Sequence, residues 1–239
     1  MVEKAVDDMY FDCNDIMTRN IKEIFQEEIN KNTNFQKVWK AAKRCAKREL
    51  KPEDIKGDEA LTTDHKQAIC VYTAGKSENI YEKFTEAVRT GRAIYGKTFK
   101  FHSLHFWLTS AVQILNNNKK CHDTYRRSTI EFKGTVNQTM RFGFFASSSY
   151  DPTLTRFGNK TCFKIRTCTG ADLKKYPSLK DYEKEVLIPP YERFKITDIK
   201  KKSVDDLKQC EVVYFLESAG VLSNVNCQLA NKDERFFLN

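Results

Sequence analysis

Apolar residues recur along this chain with two different spacings, and the change falls near residue 118. Before it the repeat is helical. In "IMTRNIKEIFQEEI", Ile16, Ile21, Ile24, Phe25 and Ile29 share one helical stripe. "IYEKFTEAVRTG" repeats the pattern with Ile80, Phe84 and Val88, and Gly91 follows as a helix stop. "FHSLHFWLTSAVQILNN" is apolar around most of its circumference, which predicts a helix buried on more than one side. Beyond "NNNKK" the runs become short, β-branched and aromatic. "STIEF", "MRFGFFA", "KTCFKIRTC", "KEVLI", "RFKITDI" and "CEVVYFL" predict strands, separated by Gly, Pro, Asn and Asp. Helices first and strands later in one chain indicate an α+β fold rather than an alternating α/β one. With no internal repeat, low-complexity linker or Gly/Ser-rich hinge, the expectation is one domain over residues 1–239, helical to about 118 and β-rich from about 119.

Composition refines this picture in two ways. Hydrophobic content of 40% in 239 residues supports a sizeable core. No apolar run reaches the roughly 18 residues of a membrane span. The formal charge of +9 raises the question of nucleic acid, but acidic residues interleave almost everywhere. The densest basic runs, "WKAAKRCAKRELK" and "DIKKKS", have no interleaved aromatics, so no nucleic-acid partner is expected. The eight cysteines contain no C-x-x-C pair and no zinc spacing, which favours disulfides and an oxidising compartment over a metal site. Sequons at Asn137 and Asn159 point the same way, to a secreted or extracellular glycoprotein rather than one retained in the endoplasmic reticulum. The opening "MVEKAVDDMYFD" is charged, so an exported protein is expected to have lost its leader; the closing "DERFFLN" lacks the apolar tail of a lipid-anchor signal, but such a tail could equally have been removed, so secreted and lipid-anchored forms both stay open.

Candidate chemistry begins with exclusions. There is no G-x-G-x-x-G after a strand, no Walker loop and no G-x-S-x-G elbow. His65, His102, His105 and His122 each stand alone and read as structural. Three features remain in the second half: the arginines of "CHDTYRRSTIEF", the apolar strand of "RFGFFASSSYD" ending in Ser147, Ser148 and Ser149, and the pair Glu183 and Glu185 in "DYEKEVLIPPYERF". In a strand those two glutamates would point to the same side, where adjacent carboxylates repel unless they are solvated or held for chemistry. Singly, each feature has an ordinary explanation.

In this order, arginine, serine cluster, then E-x-E before "VLIPP", they resemble the R-S-E motif of arginine-specific mono-ADP-ribosyltransferases of the vertebrate ecto-enzyme type, shared with several bacterial toxins. The resemblance extends through "AICVYTAG", "YGKTFKFHSLHFWLTSAVQIL", "FGNKTCFKIRT" and "EVLIPPYERFKI". It implies helices packed on a mostly antiparallel two-sheet β core, and transfer of ADP-ribose from NAD to protein arginines without a metal.

By the same resemblance Arg126 is the NAD-orienting arginine, its fork suited to a pyrophosphate. Ser147 and Ser149 place the dinucleotide, and Ser147 also places the catalytic glutamate. Glu185 stabilises positive charge on the ribose as nicotinamide leaves. Glu183 docks and deprotonates the acceptor guanidinium. The like-charge pair predicts a raised pKa on one member. Phe157 packs on nicotinamide, and Tyr72 and Thr73 border it. Two positions depart from the family pattern: Arg127 stands where glycine is common, adding bulk and charge near the cofactor mouth, and Arg156 where an acidic residue is common. The resemblance also implies disulfides Cys13–Cys227 and Cys121–Cys168. Cys45, Cys70, Cys162 and Cys210 are left over, with Cys162 and Cys210 as one conceivable pair. The expected enzyme is a monomer with arginine-bearing extracellular partners; the rival readings are a NAD glycohydrolase and a catalytically silent binder.

Overall fold

The computed structural model describes residues 2–75, 79–117, 120–202, 204 and 206–230; the final "DERFFLN" lies outside the described residues. Among these residues six α-helices come first: α1 (Asn14–Lys31), α2 (Thr33–Ala46), α3 (Pro52–Ile55), α4 (Thr63–Thr73), α5 (Ile80–Thr90) and α6 (His102–Asn116). Eight strands follow: β1 (His122–Ser128), β2 (Thr139–Met140), β3 (Ala146–Ser149), β4 (Thr161–Thr167), β5 (Ala171–Asp172), β6 (Glu185–Ile188), β7 (Glu192–Lys200) and β8 (Val212–Val221).

Local chemistry explains the helix ends. Asn32 caps α2 by accepting the Phe35 N–H, and Thr62 and His65 cap α4 reciprocally. Gly91 follows α5 directly, where the chain tightens into a 3-10 turn over Gly91–Ile94. The N-terminus of α6 is buried, so its free N–H groups need an acceptor. The Glu28 carboxylate on α1 supplies it, accepting from the backbone N–H of His102 at 2.5 Å and of Ser103 at 3.1 Å. Nearly every residue of α6 from His102 to Val112 is buried, which makes it the central post of the helical layer.

The strands are hydrogen-bonded in the order β2-β7-β8-β4-β1-β3-β6-β5, antiparallel except for β4 with β8. The two β units expected from the sequence are therefore joined into one eight-stranded sheet. The joint is narrow: Tyr125 opposite Ser149 is the registered pair between β1 and β3. On one side, Ala171 of β5 and Leu187 of β6 pack into the helical core with Phe84, Leu104 and Phe145. On the other, Phe163, Phe194, Ile196, Tyr214 and Leu216 form a second core.

Two expected strands are placed differently. "STIEF" pairs only at Ser128, the last residue of β1. The apolar run "MRFGFFA" is broken at Gly143, which sits at φ +73°, close against Val2. The strand expected to stop at the serines instead consists of them, since β3 is Ala146–Ser149.

Four disulfides tie the fold. Cys13–Cys227 joins the start of α1 to the C-terminal segment, and Cys45–Cys70 joins α2 to α4. Cys121–Cys168 links the approach to β1 with the exit of β4, and Cys162–Cys210 links β4 with the approach to β8.

Candidate active site

Arg126, Ser147, Glu183 and Glu185 line one cavity of about 450 Å³ at the narrow joint of the sheet. Strand register brings three of them together. Ser149 lies opposite Glu185 and Ser147 opposite Leu187, so Ser147 and Glu185 are diagonal neighbours across β3 and β6. Across the joint, Arg126 on β1 donates to the Ser147 carbonyl at 2.6 Å. The guanidinium also lies beside the rings of Phe142 and Phe144, 5.9 and 5.7 Å from their centroids.

Glu185 is 5% exposed. Burial pushes its carboxyl up from the ordinary 4.5 to about 7; a hydrogen bond with Ser147 opposes the rise, nearby Glu183 adds to it, and Arg126 opposes it. The sequence predicted the direction from charge repulsion alone, whereas desolvation is the larger cause. Tyr72 supports the same cluster from the end of α4. Its hydroxyl donates to the Phe145 carbonyl at 2.5 Å and lies 3.4 Å from the Ser147 hydroxyl.

Glu183 is placed otherwise than strand alternation suggested. It lies in a turn ahead of β6, and Lys184 between the two glutamates takes a left-handed φ of +45°. The turn is held by the Ser149 hydroxyl, which donates to the Glu183 carbonyl at 2.6 Å and accepts from the Asp151 N–H at 2.8 Å. Ser149, expected on the dinucleotide, thus anchors the backbone that carries Glu183. The Ser148 hydroxyl likewise donates to the Val186 carbonyl at 2.9 Å.

Of the remaining candidates, Tyr72, Thr73 and Phe157 all line the cavity. The Thr73 hydroxyl is used internally, donating to the Ile69 carbonyl and accepting from the Ser178 N–H. Phe157, in the 3-10 turn Thr155–Phe157, is 45% exposed at the mouth.

Arg127 borders the cavity, but its charge does not stand free in the mouth as the sequence suggested. Its side chain turns to the other face of β1, where Nε donates to the Pro152 carbonyl at 2.8 Å and both terminal nitrogens to the Lys208 carbonyl at 3.2 Å. Strand alternation puts Arg126 and Arg127 on opposite faces.

Sequence reasoning missed the pairing of Arg156 with Glu183, an ion pair of 2.5 Å between residues 27 apart. The only signal available was that Arg156 departs from the family pattern. It also missed the cavity wall supplied by Ser178 and Leu179, whose loop has no motif of its own. The four histidines lie outside the cavity: His65 in its cap, His102 against Glu28, His105 on the Tyr10 hydroxyl and His122 on the Tyr150 hydroxyl. Among the described residues no cluster of His, Cys, Asp and Glu could hold a metal.

The family model for NAD:arginine ADP-ribosyltransferases matches residues 1–210. Ecto-ADP-ribosyltransferase 4 of Homo sapiens is 35% identical over 241 residues, covering 94% of this chain and 71% of its own. Ecto-ADP-ribosyltransferase 5 of Bos taurus is 31% identical over 242 residues, covering 96% and 73%. Among solved structures, a variant of the eukaryotic mono-ADP-ribosyltransferase ART2.2 in complex with NAD superposes with a TM-score of 0.76 at 28% identity, covering 95% of this chain and 96% of that one.

Proposed function

Because the chain belongs to the NAD:arginine ADP-ribosyltransferase family, we propose that Arg126, Ser147, Glu185 and Glu183 divide the transfer of ADP-ribose to protein arginines among them, within a single catalytic domain. NAD is the donor, supplying a ribosyl carbon with nicotinamide as its leaving group. The cavity suits such a substrate: a guanidinium for the pyrophosphate, apolar walls from Phe157 and Leu179, and a buried carboxylate whose own surroundings leave it short of positive charge.

Arg126, fixed through one nitrogen on the Ser147 carbonyl, has further N–H donors for phosphate oxygens. Ser147 orients the Glu185 carboxylate through its hydroxyl. Glu185 then meets the positive charge that grows on the ribose carbon as the bond to nicotinamide lengthens. In a buried site that interaction is far stronger than in water. Glu183, held at the mouth by Ser149, docks the acceptor and takes its proton as the new carbon–nitrogen bond forms. The observation that carries this reading is the placement of both carboxylates, one buried and one at the mouth, in one cavity with Arg126 and Ser147. Four disulfides and exposed Asn137 and Asn159 support an extracellular setting, where the acceptors would be found.

Transfer to water is the second reading, and one observation favours it: Arg156 already holds Glu183. Incubation with labelled NAD and agmatine, following nicotinamide release and label transfer together, separates the two. Transfer that tracks release supports the proposal. Release without transfer selects water as acceptor, and the absence of both release and transfer overturns the catalytic reading.

A further inference from the structure

Resting on the acceptor role of Glu183, we infer that Arg156 sets acceptor choice: it holds the docking carboxylate in place of a substrate guanidinium, and the protein therefore favours arginines that carry a neighbouring Asp or Glu. Arg156 Nη2 lies 2.5 Å from Glu183 Oε1. The guanidinium also sits over the rings of Phe157, at 4.7 Å, and Tyr182, at 5.6 Å. A carboxylate with two flanking aromatic faces is what a substrate guanidinium requires, and here it is already filled from within the chain.

The pair is open to exchange, since the side chains of Arg156 and Glu183 are 44% and 23% exposed. Ion pairs of this exposure are worth little and re-form easily. An incoming arginine must share Glu183 with Arg156 or displace it, and either way two guanidiniums face one carboxylate. Lys184 adds a second cation near the pair, and Asp151, which also lines the cavity, adds a second anion: its carboxyl is held below its usual range first by the hydroxyl and N–H of Thr153 and then by Lys184 and Arg156. Arg156 and Lys184 are thus matched by Glu183 and Asp151, and a docked acceptor guanidinium is one positive charge more than these four groups balance. A carboxylate beside the acceptor arginine gives Arg156 a new partner, whereas a lysine there adds to the repulsion.

The transfer step itself stays balanced under this scheme. The acceptor nitrogen bonds to the ribose carbon, nicotinamide leaves with the electron pair of the broken bond, and the guanidinium proton passes to Glu183.

Three peptides with one arginine each, followed by Glu, Gln or Lys, test the idea, with kcat/KM for transfer measured alongside nicotinamide release. In the parent protein the expected order is Glu, then Gln, then Lys, with about two- to fivefold between neighbours, the scale of a half-exposed ion pair. Arg156→Gln should flatten the order, Arg156→Glu should reverse it, and Arg156→Lys should retain it; a purely structural role would not invert a charge preference. Equal kcat/KM on all three peptides in the parent, or an unchanged order in Arg156→Glu, overturns the inference alone. No nicotinamide release from the parent overturns the catalytic reading beneath it and the inference together.

Discussion

Changing the surroundings of Glu185 one residue at a time should move the pH at which the site switches on. Its carboxyl is raised from 4.5 to about 7. At about 1.4 kcal/mol per tenfold, keeping it ionised in the empty site costs roughly 3 kcal/mol. Only the ionised form stabilises a cation, so kcat/KM for NAD should climb as pH rises through about 7 and level off above it. Burial is the largest cause, the Ser147 hydrogen bond comes next and opposes it, and repulsion from Glu183 follows. Ser147→Ala should therefore move the midpoint up, and Glu183→Gln should move it down by a smaller amount. The assay is nicotinamide release under subsaturating NAD across about pH 5 to 9. The same group links to stability with a definite sign. Because its folded value lies above its unfolded one, its favourable contribution is complete below pH 4.5 and is lost as pH rises through about 7. Glu185→Gln, which carries no charge, should gain thermal stability over the parent at pH 8 and gain little near pH 5. A profile flat from about pH 6 to 8, together with equal parent and variant melting differences at both pH values, would refute the reasoning.

Three further outcomes follow from the geometry. Glu185→Gln should abolish nicotinamide release and transfer alike, whereas Glu183→Gln should lose transfer to agmatine and retain release, because Glu183 lies in the partly exposed turn ahead of β6 and Glu185 is buried within it. Arg126→Lys keeps a charge but loses the fork, so KM for NAD should rise about 10- to 100-fold, the worth of a charged hydrogen bond. Replacing Cys13 and Cys227 together with serine opens a link across 214 residues, which the chain-entropy relation values at ~5 kcal/mol; a melting temperature unchanged in the double variant would contradict it.

The periodicities located α1, α5, α6 and the longer strands of the second half because burial repeats locally, every three to four residues in α1 and α5 and every two at the start of β7. They misread "MRFGFFASSS", since Gly143 turns the chain and hands the strand to three small polar residues that no β-propensity favours. Likewise Glu183 and Glu185 look like strand alternation, and only the left-handed Lys184 reveals the turn between them.

From the sequence alone, the chemical inventory was determined: the arginine, the serines, the two glutamates, their order, and the helix-then-strand division, all of which depend on residue identity and near neighbours. Tertiary structure decided what those groups are like. The proton affinity of Glu185 depends on how much protein covers it and on Ser147, 38 residues upstream. The direction of the Arg127 charge depends on carbonyls at Pro152 and Lys208, and the occupant of Glu183 on a loop 27 residues away. Desolvation and ion pairing act through space, and distance in space is what a one-dimensional pattern does not carry.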